Sequence, residues 1–301
     1  MTFRPLDVRT LREWPLPALA HDADKEERGR VVVVGGSREI AGAVQLAGVA
    51  AMRAGAGKLV IATAASVAVQ VGRAVPEARV IALPESGSGA LRADGLGVLA
   101  DSLEGAAAVL VGPGLMDPEA CVPFIVQLLA LCRGIPVVLD AGAMDAVAAM
   151  GRFEQPVLVT PHAGEMAHLT GIAKEAIARD PESVARRASA QWNASVALKG
   201  AATLVATPDG GGWRHDGGHP GLATSGSGDV LAGLIAGFAA RGATLEQACA
   251  WGVVLHALAG RTLARSVGAV GYLARELPGV VPGLVEKAAR PLRRSPAPKA
   301  R

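Results

Sequence analysis

The 301-residue sequence has few aromatic residues, an odd number of cysteines and no long apolar run. Aromatic residues make up 3% of the chain although 50% is hydrophobic, so alanine, valine, leucine and glycine carry the apolar content. Small aliphatic side chains suit close packing of helices on a sheet. Three cysteines without a CxxC pair or metal-ligand spacing argue against a disulfide framework and a structural zinc site. We therefore expect an α/β protein with buried thiols in a reducing compartment.

The charge balance excludes further classes of partner. Thirty basic residues against 27 acidic ones give a net charge of +3, which is too small to indicate a nucleic-acid or membrane surface as partner. No run approaches the roughly 20 apolar residues of a bilayer span, and the first residues lack the apolar core of a signal peptide. We expect a cytoplasmic protein. Part of the basic excess lies in residues 286–301, whose proline and charge content predicts a disordered tail.

Short apolar runs alternate with alanine-rich stretches along the chain. Runs without polar alternation are typical of strands that helices cover on both faces. The predicted strands are residues 31–34, 58–62, 108–111, 136–139, 157–159 and 195–198. The predicted helices are residues 41–54, 119–131, 144–150, 163–169, 181–192, 230–240 and 245–264. This order predicts one domain with a mainly parallel, doubly wound sheet, at residues 25–285, after an N-terminal extension of residues 1–24. Residues 203–207 and the segment around Trp213 predict an antiparallel hairpin.

Three predicted turns are rich in glycine and follow or precede these elements. Gly35-Gly36 and Gly112-Pro113-Gly114 follow strands, whereas Gly226-Ser227-Gly228-Asp229 precedes an apolar helix. Ligands of open α/β sheets lie beyond the carboxyl ends of the strands, and a helix start with free N–H groups attracts anions. The last turn has a simpler alternative, since serine and aspartate are common helix caps. Neither a dinucleotide-binding fingerprint nor a P-loop is present.

Polar residues follow three other predicted strands. Asp140 and Lys199 each end a strand, and Lys199 is either a solvated edge charge or a phosphate contact. Glu165, three residues after His162, is either a capping residue or a carboxylate for hydrated Mg²⁺. His256 lies in an apolar helix, where a buried core residue is the simpler interpretation. We assign it no role.

Taken in chain order, these segments resemble the ADP/ATP-dependent NAD(P)H-hydrate dehydratase family of the ribokinase-like superfamily. The resemblance extends from about Asp24 to Leu277. The matching segments are residues 24–29, 34–37, 42–43, 53–57, 76–77, 112–114, 139–141, 160–166, 199–203, 223–233 and 256–260. Family members usually carry Gly-Gly-Thr-Gly-Asp where this chain has Ser225-Gly226-Ser227-Gly228-Asp229. Ile40, Met116 and Gly142 are further departures, and they affect the expected substrate contacts more than the reaction.

The resemblance implies a ribokinase-like α/β fold, a homotetramer and the repair of hydrated NADH and NADPH. ADP or ATP would phosphorylate the ring hydroxyl, and phosphate would then leave. Asp229 is implied as the base, with the N–H groups of Gly226, Ser227 and Gly228 stabilising the transferring phosphoryl group. The implied adenine-nucleotide site comprises Lys199, Gly200, Ala201, Ala202, Thr203 and Gly228. The implied substrate contacts are Ala43, Gly114, His162 and Asp229, and Glu165 is implied to bind Mg²⁺ through water.

Partners and alternatives complete the expectation. A separate NAD(P)H-hydrate epimerase is the expected pathway partner, because the residues before Lys25 are too few to form one. One alternative function is a kinase of the same fold that acts on a hydroxymethylpyrimidine or thiazole alcohol. The other is a nucleotide-binding protein without catalytic activity.

Overall fold

The computed structural model describes residues 2–20, 22 and 24–290. Within these ranges ten strands form one sheet. In chain order the strands are β1 (Arg4–Pro5), β2 (Arg30–Val34), β3 (Lys58–Ala64), β4 (Ala78–Leu83), β5 (Ala108–Val111), β6 (Val137–Leu139), β7 (Val157–Val159), β8 (Ser195–Leu198), β9 (Thr203–Ala206) and β10 (Gly212–His215). The spatial order is β1-β10-β9-β8-β7-β6-β5-β2-β3-β4.

The sheet is parallel except at one strand. From β4 through β8 each neighbouring pair is parallel, and only β9 runs against its two neighbours, β8 and β10. The predicted mainly parallel sheet and the hairpin at residues 203–215 are confirmed. Strands β1 and β4, which lie at the two edges, were absent from the prediction.

Helices cover both faces of this sheet. They are α1 (Val8–Glu13), α2 (Ala41–Ala54), α3 (Ala68–Ala74), α4 (Ala100–Glu104), α5 (Pro118–Leu131), α6 (Ala146–Met150), α7 (Ala163–Thr170), α8 (Lys174–Arg179), α9 (Pro181–Trp192), α10 (Ser227–Ala240), α11 (Leu245–Ser266) and α12 (Leu277–Ala289). No helix in the described ranges has the length and apolar character that a bilayer span requires. Helix α12 extends through residues 286–289, which the prediction had assigned to the tail, because Ala288 is buried and Leu284 and Val285 pack against the core. Residues 291–301, the rest of the predicted tail, lie outside the described residues.

Helix α10 is held against α2 by residues without side chains. A Cβ atom at Gly233 would overlap the carbonyl oxygen of Ala47, and one at Gly237 would overlap that of Ala51. The two helix backbones therefore touch, and a larger residue at either glycine would separate them. This packing fixes the start of α10, where the Gly226–Asp229 turn lies.

The N-terminal residues form part of the same sheet. Strand β1 pairs in parallel with β10, and the Leu6 N–H donates to Arg214 O at 2.8 Å. The Trp14 ring stacks on Trp213 with 5.4 Å between centroids, and Trp251 Nε1 donates to Trp14 O at 2.9 Å. The predicted N-terminal extension thus covers the β10 edge of the domain.

Candidate functional site

The strand order of the sheet reverses between β2 and β5. The Gly35-Gly36 turn and the Gly112-Pro113-Gly114 turn contact each other at this point. The Gly36 N–H donates to Pro113 O at 2.7 Å, and a Cβ atom at Gly35 would overlap the same oxygen. Gly114 has φ +70°, and a Cβ atom there would lie 2.9 Å from that of Ala43. Two of the predicted substrate contacts, Ala43 and Gly114, are therefore neighbours at the point where open α/β sheets bind ligands.

The ends of β6, β7 and β8 bring a lysine between two carboxylates. Asp140 is only 3% exposed, and its Oδ1 accepts from Thr160 Oγ1 at 2.5 Å and from Lys199 Nζ at 3.2 Å. Lys199 Nζ also lies 3.8 Å from Glu165 Oε2. Burial disfavours the charge on Lys199, but Asp140 and Glu165 outweigh it and raise the lysine pKa. Lys199 is therefore a fixed cation at the sheet edge, and the solvated alternative does not hold.

The Gly226–Asp229 turn offers fewer backbone donors than expected. Gly226 precedes α10 with φ +86°, a left-handed conformation that glycine adopts without strain. The Ser227 N–H donates to Thr224 O at 3.2 Å, so this predicted anion contact is already engaged. Within the described part of the chain, the N–H groups of Gly226 and Gly228 donate to no protein acceptor. Ser227 instead presents its hydroxyl, whose oxygen lies 3.0 Å from His256 Nε2.

Asp229 lies in the first turn of α10 with the properties of a base. Burial raises its pKa, repulsion from Asp140 raises it further and Lys199 partly offsets both, which leaves a pKa of about 7. A Cβ atom at Gly228 would be 3.6 Å from Lys199 Nζ, so the lysine lies beside the same turn. A carboxylate with a pKa near neutrality combines adequate basicity with an ionised form at working pH.

A cleft of about 680 Å³ opens next to the turn, and most of the predicted nucleotide contacts line it. This volume lies within the usual range of small-molecule sites, roughly 300–1,000 Å³. The predicted residues in its wall are His162, Lys199, Gly200, Ala201, Thr203, Ser227 and Gly228. The predicted residues that are not in this wall are Glu165, Ala202, Gly226, Asp229, Ala43 and Gly114; the last two lie at the strand-order reversal instead.

Three further parts of the cleft escaped the sequence prediction. The loop before the turn contributes Gly218, His219 and Pro220, and His215 lines the cleft from the end of β10. Helix α11 contributes His256, which the sequence left without a role. His256 carried no signal in the sequence beyond its polarity in an apolar helix.

Glu165 takes part in a helix cap. Its Oε2 accepts from the His162 N–H at 2.7 Å, and His162 Nδ1 accepts from the Glu165 N–H at 3.0 Å, which together form a reciprocal capping box. Across the described ranges no three His, Cys, Asp or Glu side chains are gathered for direct metal binding. The capping interpretation is confirmed, and the magnesium contact remains a prediction.

Comparison with known proteins agrees with this geometry. The family model described as NAD(P)H-hydrate dehydratase matches residues 31–282. The ADP-dependent (S)-NAD(P)H-hydrate dehydratase of Xanthomonas campestris is 47% identical over 291 residues, covering 95% of this chain and 98% of that protein.

Solved structures give the same result. A Bacillus subtilis ADP/ATP-dependent NAD(P)H-hydrate dehydratase, co-crystallised with ATP/Mg²⁺, superposes with a TM-score of 0.82 at 30% identity over 96% of this chain and 99% of that one. A ribokinase-like superfamily protein of Enterococcus faecalis superposes with a TM-score of 0.83 at 27% identity, over 96% and 97%. The predicted ribokinase-like fold is confirmed, and the chain belongs to the NAD(P)H-hydrate dehydratase family.

Proposed function

We propose that the protein restores NADH and NADPH from their hydrates by nucleotide-dependent dehydration. The observation that carries this proposal is Asp229, a partly buried carboxylate with a pKa of about 7 at the start of α10, beside Lys199 and a nucleotide-sized cleft. Membership of the dehydratase family supplies the substrate class.

The chemistry explains why a nucleotide is needed. The hydroxyl of a hydrated nicotinamide ring is a poor leaving group, whereas its phosphate ester leaves readily as the ring nitrogen lone pair forms a C=N bond. Loss of a proton from the neighbouring ring carbon then restores the reduced ring. The terminal phosphoryl group of ADP or ATP is transferred to the hydroxyl oxygen, so that AMP or ADP and inorganic phosphate are the products.

Each group of the turn has a place in the transfer step. Asp229 accepts the proton of the ring hydroxyl as its oxygen attacks phosphorus. The N–H groups of Gly226 and Gly228 and the Ser227 hydroxyl donate to the phosphoryl oxygens, while Lys199 neutralises their charge. Gly200, Ala201 and Ala202 form the turn between β8 and β9, where small residues leave room for the nucleotide, and Thr203 begins β9.

The substrate occupies the other side of Asp229. The strand-order reversal with Ala43 and Gly114 is the proposed position of the hydrated dinucleotide, and His162, in the wall of the nucleotide cleft, is the remaining proposed contact. Gly114 lets the chain after β5 approach the start of α2 closely, because a Cβ atom there would overlap the carbonyl oxygen of Ile40.

The residues present fit a magnesium ion bound through water. Glu165 uses Oε2 for the helix cap, which leaves Oε1 available to a metal-bound water, and Mg²⁺ ordinarily keeps several waters and few carboxylates. When bound with the nucleotide, the ion would supply positive charge to the phosphates. The co-crystallisation of the Bacillus subtilis relative with ATP/Mg²⁺ supports this assignment.

The decisive experiment is incubation with hydrated NADH and ADP, or ATP, in the presence of Mg²⁺. We expect recovery of reduced-nicotinamide absorbance with stoichiometric phosphate release. A small-molecule kinase would instead leave a stable phosphorylated alcohol, and a binding protein would leave the hydrate unchanged. Absence of recovery with both nucleotides would refute the proposal.

Assembly and pathway context extend the proposal. The Xanthomonas relative is named for the S form of the hydrate, so the opposite form needs a separate epimerase to become a substrate. We place the protein in the cytoplasm as a homotetramer, with that epimerase as pathway partner. Light scattering tests the tetramer, and added epimerase should allow complete conversion of a mixture of both hydrate epimers.

A further inference from the structure

Helix α11 places His256 in contact with Ser227 of the Gly226–Asp229 turn. His256 is 9% exposed, lines the nucleotide cleft and has its Nε2 3.0 Å from the Ser227 hydroxyl oxygen. Ser227 is 6% exposed. The two residues are 29 positions apart in sequence and are brought together by the packing of α10 on α11.

The imidazole of His256 is neutral at physiological pH. Burial lowers its pKa to about 4; a hydrogen bond with Ser227 acts in the opposite direction and nearby Lys199 lowers the pKa further. A neutral imidazole carries one proton, on either Nε2 or Nδ1. The tautomer determines whether the Ser227 hydroxyl accepts a hydrogen bond from His256 or donates one to it.

The two tautomers have opposite effects on the cleft. With the proton on Nε2, His256 donates to Ser227 Oγ, and the hydroxyl proton of Ser227 is free to point into the cleft. With Nε2 unprotonated, the hydroxyl donates to His256 and turns only lone pairs towards the cleft. A phosphate needs donors, and the Ser227 N–H is already engaged with Thr224 O. The hydroxyl is therefore the remaining hydrogen-bond donor of Ser227.

We propose that His256 is a positioning residue whose Nε2–H holds the Ser227 hydroxyl as a donor to the terminal phosphate of the bound nucleotide. The part of this inference that concerns turnover rests on the proposed function. The hydroxyl donates to the terminal phosphate when the nucleotide binds, and more strongly as charge develops during transfer.

A double-mutant cycle tests the pair. We expect His256→Leu and Ser227→Ala each to lower kcat about 100-fold, the usual effect of removing one such donor. The double variant should lose no more than either single one, because both changes remove the same interaction. His256→Gln, whose amide supplies an N–H in place of Nε2–H, should recover most of the loss. Additive losses, or no rescue by glutamine, would overturn the proposal.

A binding measurement separates this inference from the proposed function. Calorimetry should show about tenfold weaker ADP binding in His256→Leu and Ser227→Ala, with AMP binding unchanged, since AMP lacks the terminal phosphate. Equal weakening for AMP and ADP would contradict the inference whether or not the wild type restores NADH. Val254→Ala is the matched control: it removes buried volume from the same helix outside the cleft, and should lower the melting temperature while kcat stays unchanged.

Discussion

The ionisation of Asp229, which depends on neighbouring charges, should determine how kcat/KM varies with pH. Because the base must be ionised, kcat/KM should rise with pH up to about 7 and level off above it. Asp140→Asn removes the repulsion that raises the Asp229 pKa, so the acid limb should move to lower pH. Glu104→Gln, an exposed change at the end of α4, is the control and should leave the profile in place. If the acid limb of the kcat/KM profile is unchanged in Asp140→Asn, a group other than Asp229 controls that limb.

The same pKa shift has a consequence for stability. A carboxyl whose folded pKa is about 7, against an ordinary aspartate pKa of 3.8 in the unfolded chain, binds its proton more tightly when folded. Below pH 3.8 this carboxyl therefore does not lower the free energy of unfolding. Between pH 3.8 and about pH 7 its ionisation lowers that free energy progressively, and above pH 7 the reduction is constant. We expect Asp229→Asn to abolish turnover and to raise the melting temperature by a few degrees at pH 8. Calorimetry should find a smaller gain at pH 5, and an equal gain at both would contradict this origin.

Individual site residues differed in how far the sequence revealed them. The convergence of glycine-rich strand ends was visible because parallel strands bring their carboxyl ends to one edge. The sequence left Glu165 open between cap and metal contact, because a three-residue spacing serves both. The partnership of Ser227 with His256 was not predictable, since no local pattern specifies which residue of α11 packs behind the turn.

At the level of elements, the interior strands were the most predictable. Apart from Arg30 and Ser195 at their first positions, strands β2, β5 and β8 are continuous apolar runs because both faces are covered, and the prediction found each of them. Strand β4 lies at the sheet edge, where most of its residues are partly or fully exposed, and its mixed composition hid it. Helix α10 begins at Ser227 rather than residue 230, because Gly226 supplies the left-handed residue that precedes it.

The contact between α10 and α2 gives a prediction for an element. Gly233→Ala would place a Cβ atom on the carbonyl oxygen of Ala47, so the helices must move apart. We expect the free energy of unfolding in urea to fall by roughly 1–3 kcal/mol. Gly283→Ala in α12 is the matched control: no neighbour lies within 4 Å of the added Cβ, and the better helix propensity of alanine should add up to about 1 kcal/mol. Similar effects of both changes would exclude close packing as the cause.

For the whole molecule, the first residues of the chain close one side of the sheet and support the nucleotide cleft. Trp14 O and Pro15 O accept from Gln247 Nε2 at 3.3 and 2.7 Å. Leu6 O lies 2.7 Å from Nδ1 of His215, whose ring lines the cleft. Composition and periodicity gave no indication of this role, because a two-residue strand and a six-residue helix are too short to show a pattern.

Deletion of residues 2–16 tests the integration of this segment. The deletion leaves the buried donors of Gln247 and Trp251 without acceptors and opens the β10 edge to pairing with other molecules. We expect a lower melting temperature, aggregation on gel filtration and weaker ADP binding through His215. Trp251, now 1% exposed, should shift its fluorescence to the red. Leu19→Ala, a change at a 41% exposed side chain, is the control that should alter none of these. If the truncated protein kept wild-type stability and ADP affinity, neither the sheet edge nor the cleft would depend on this segment.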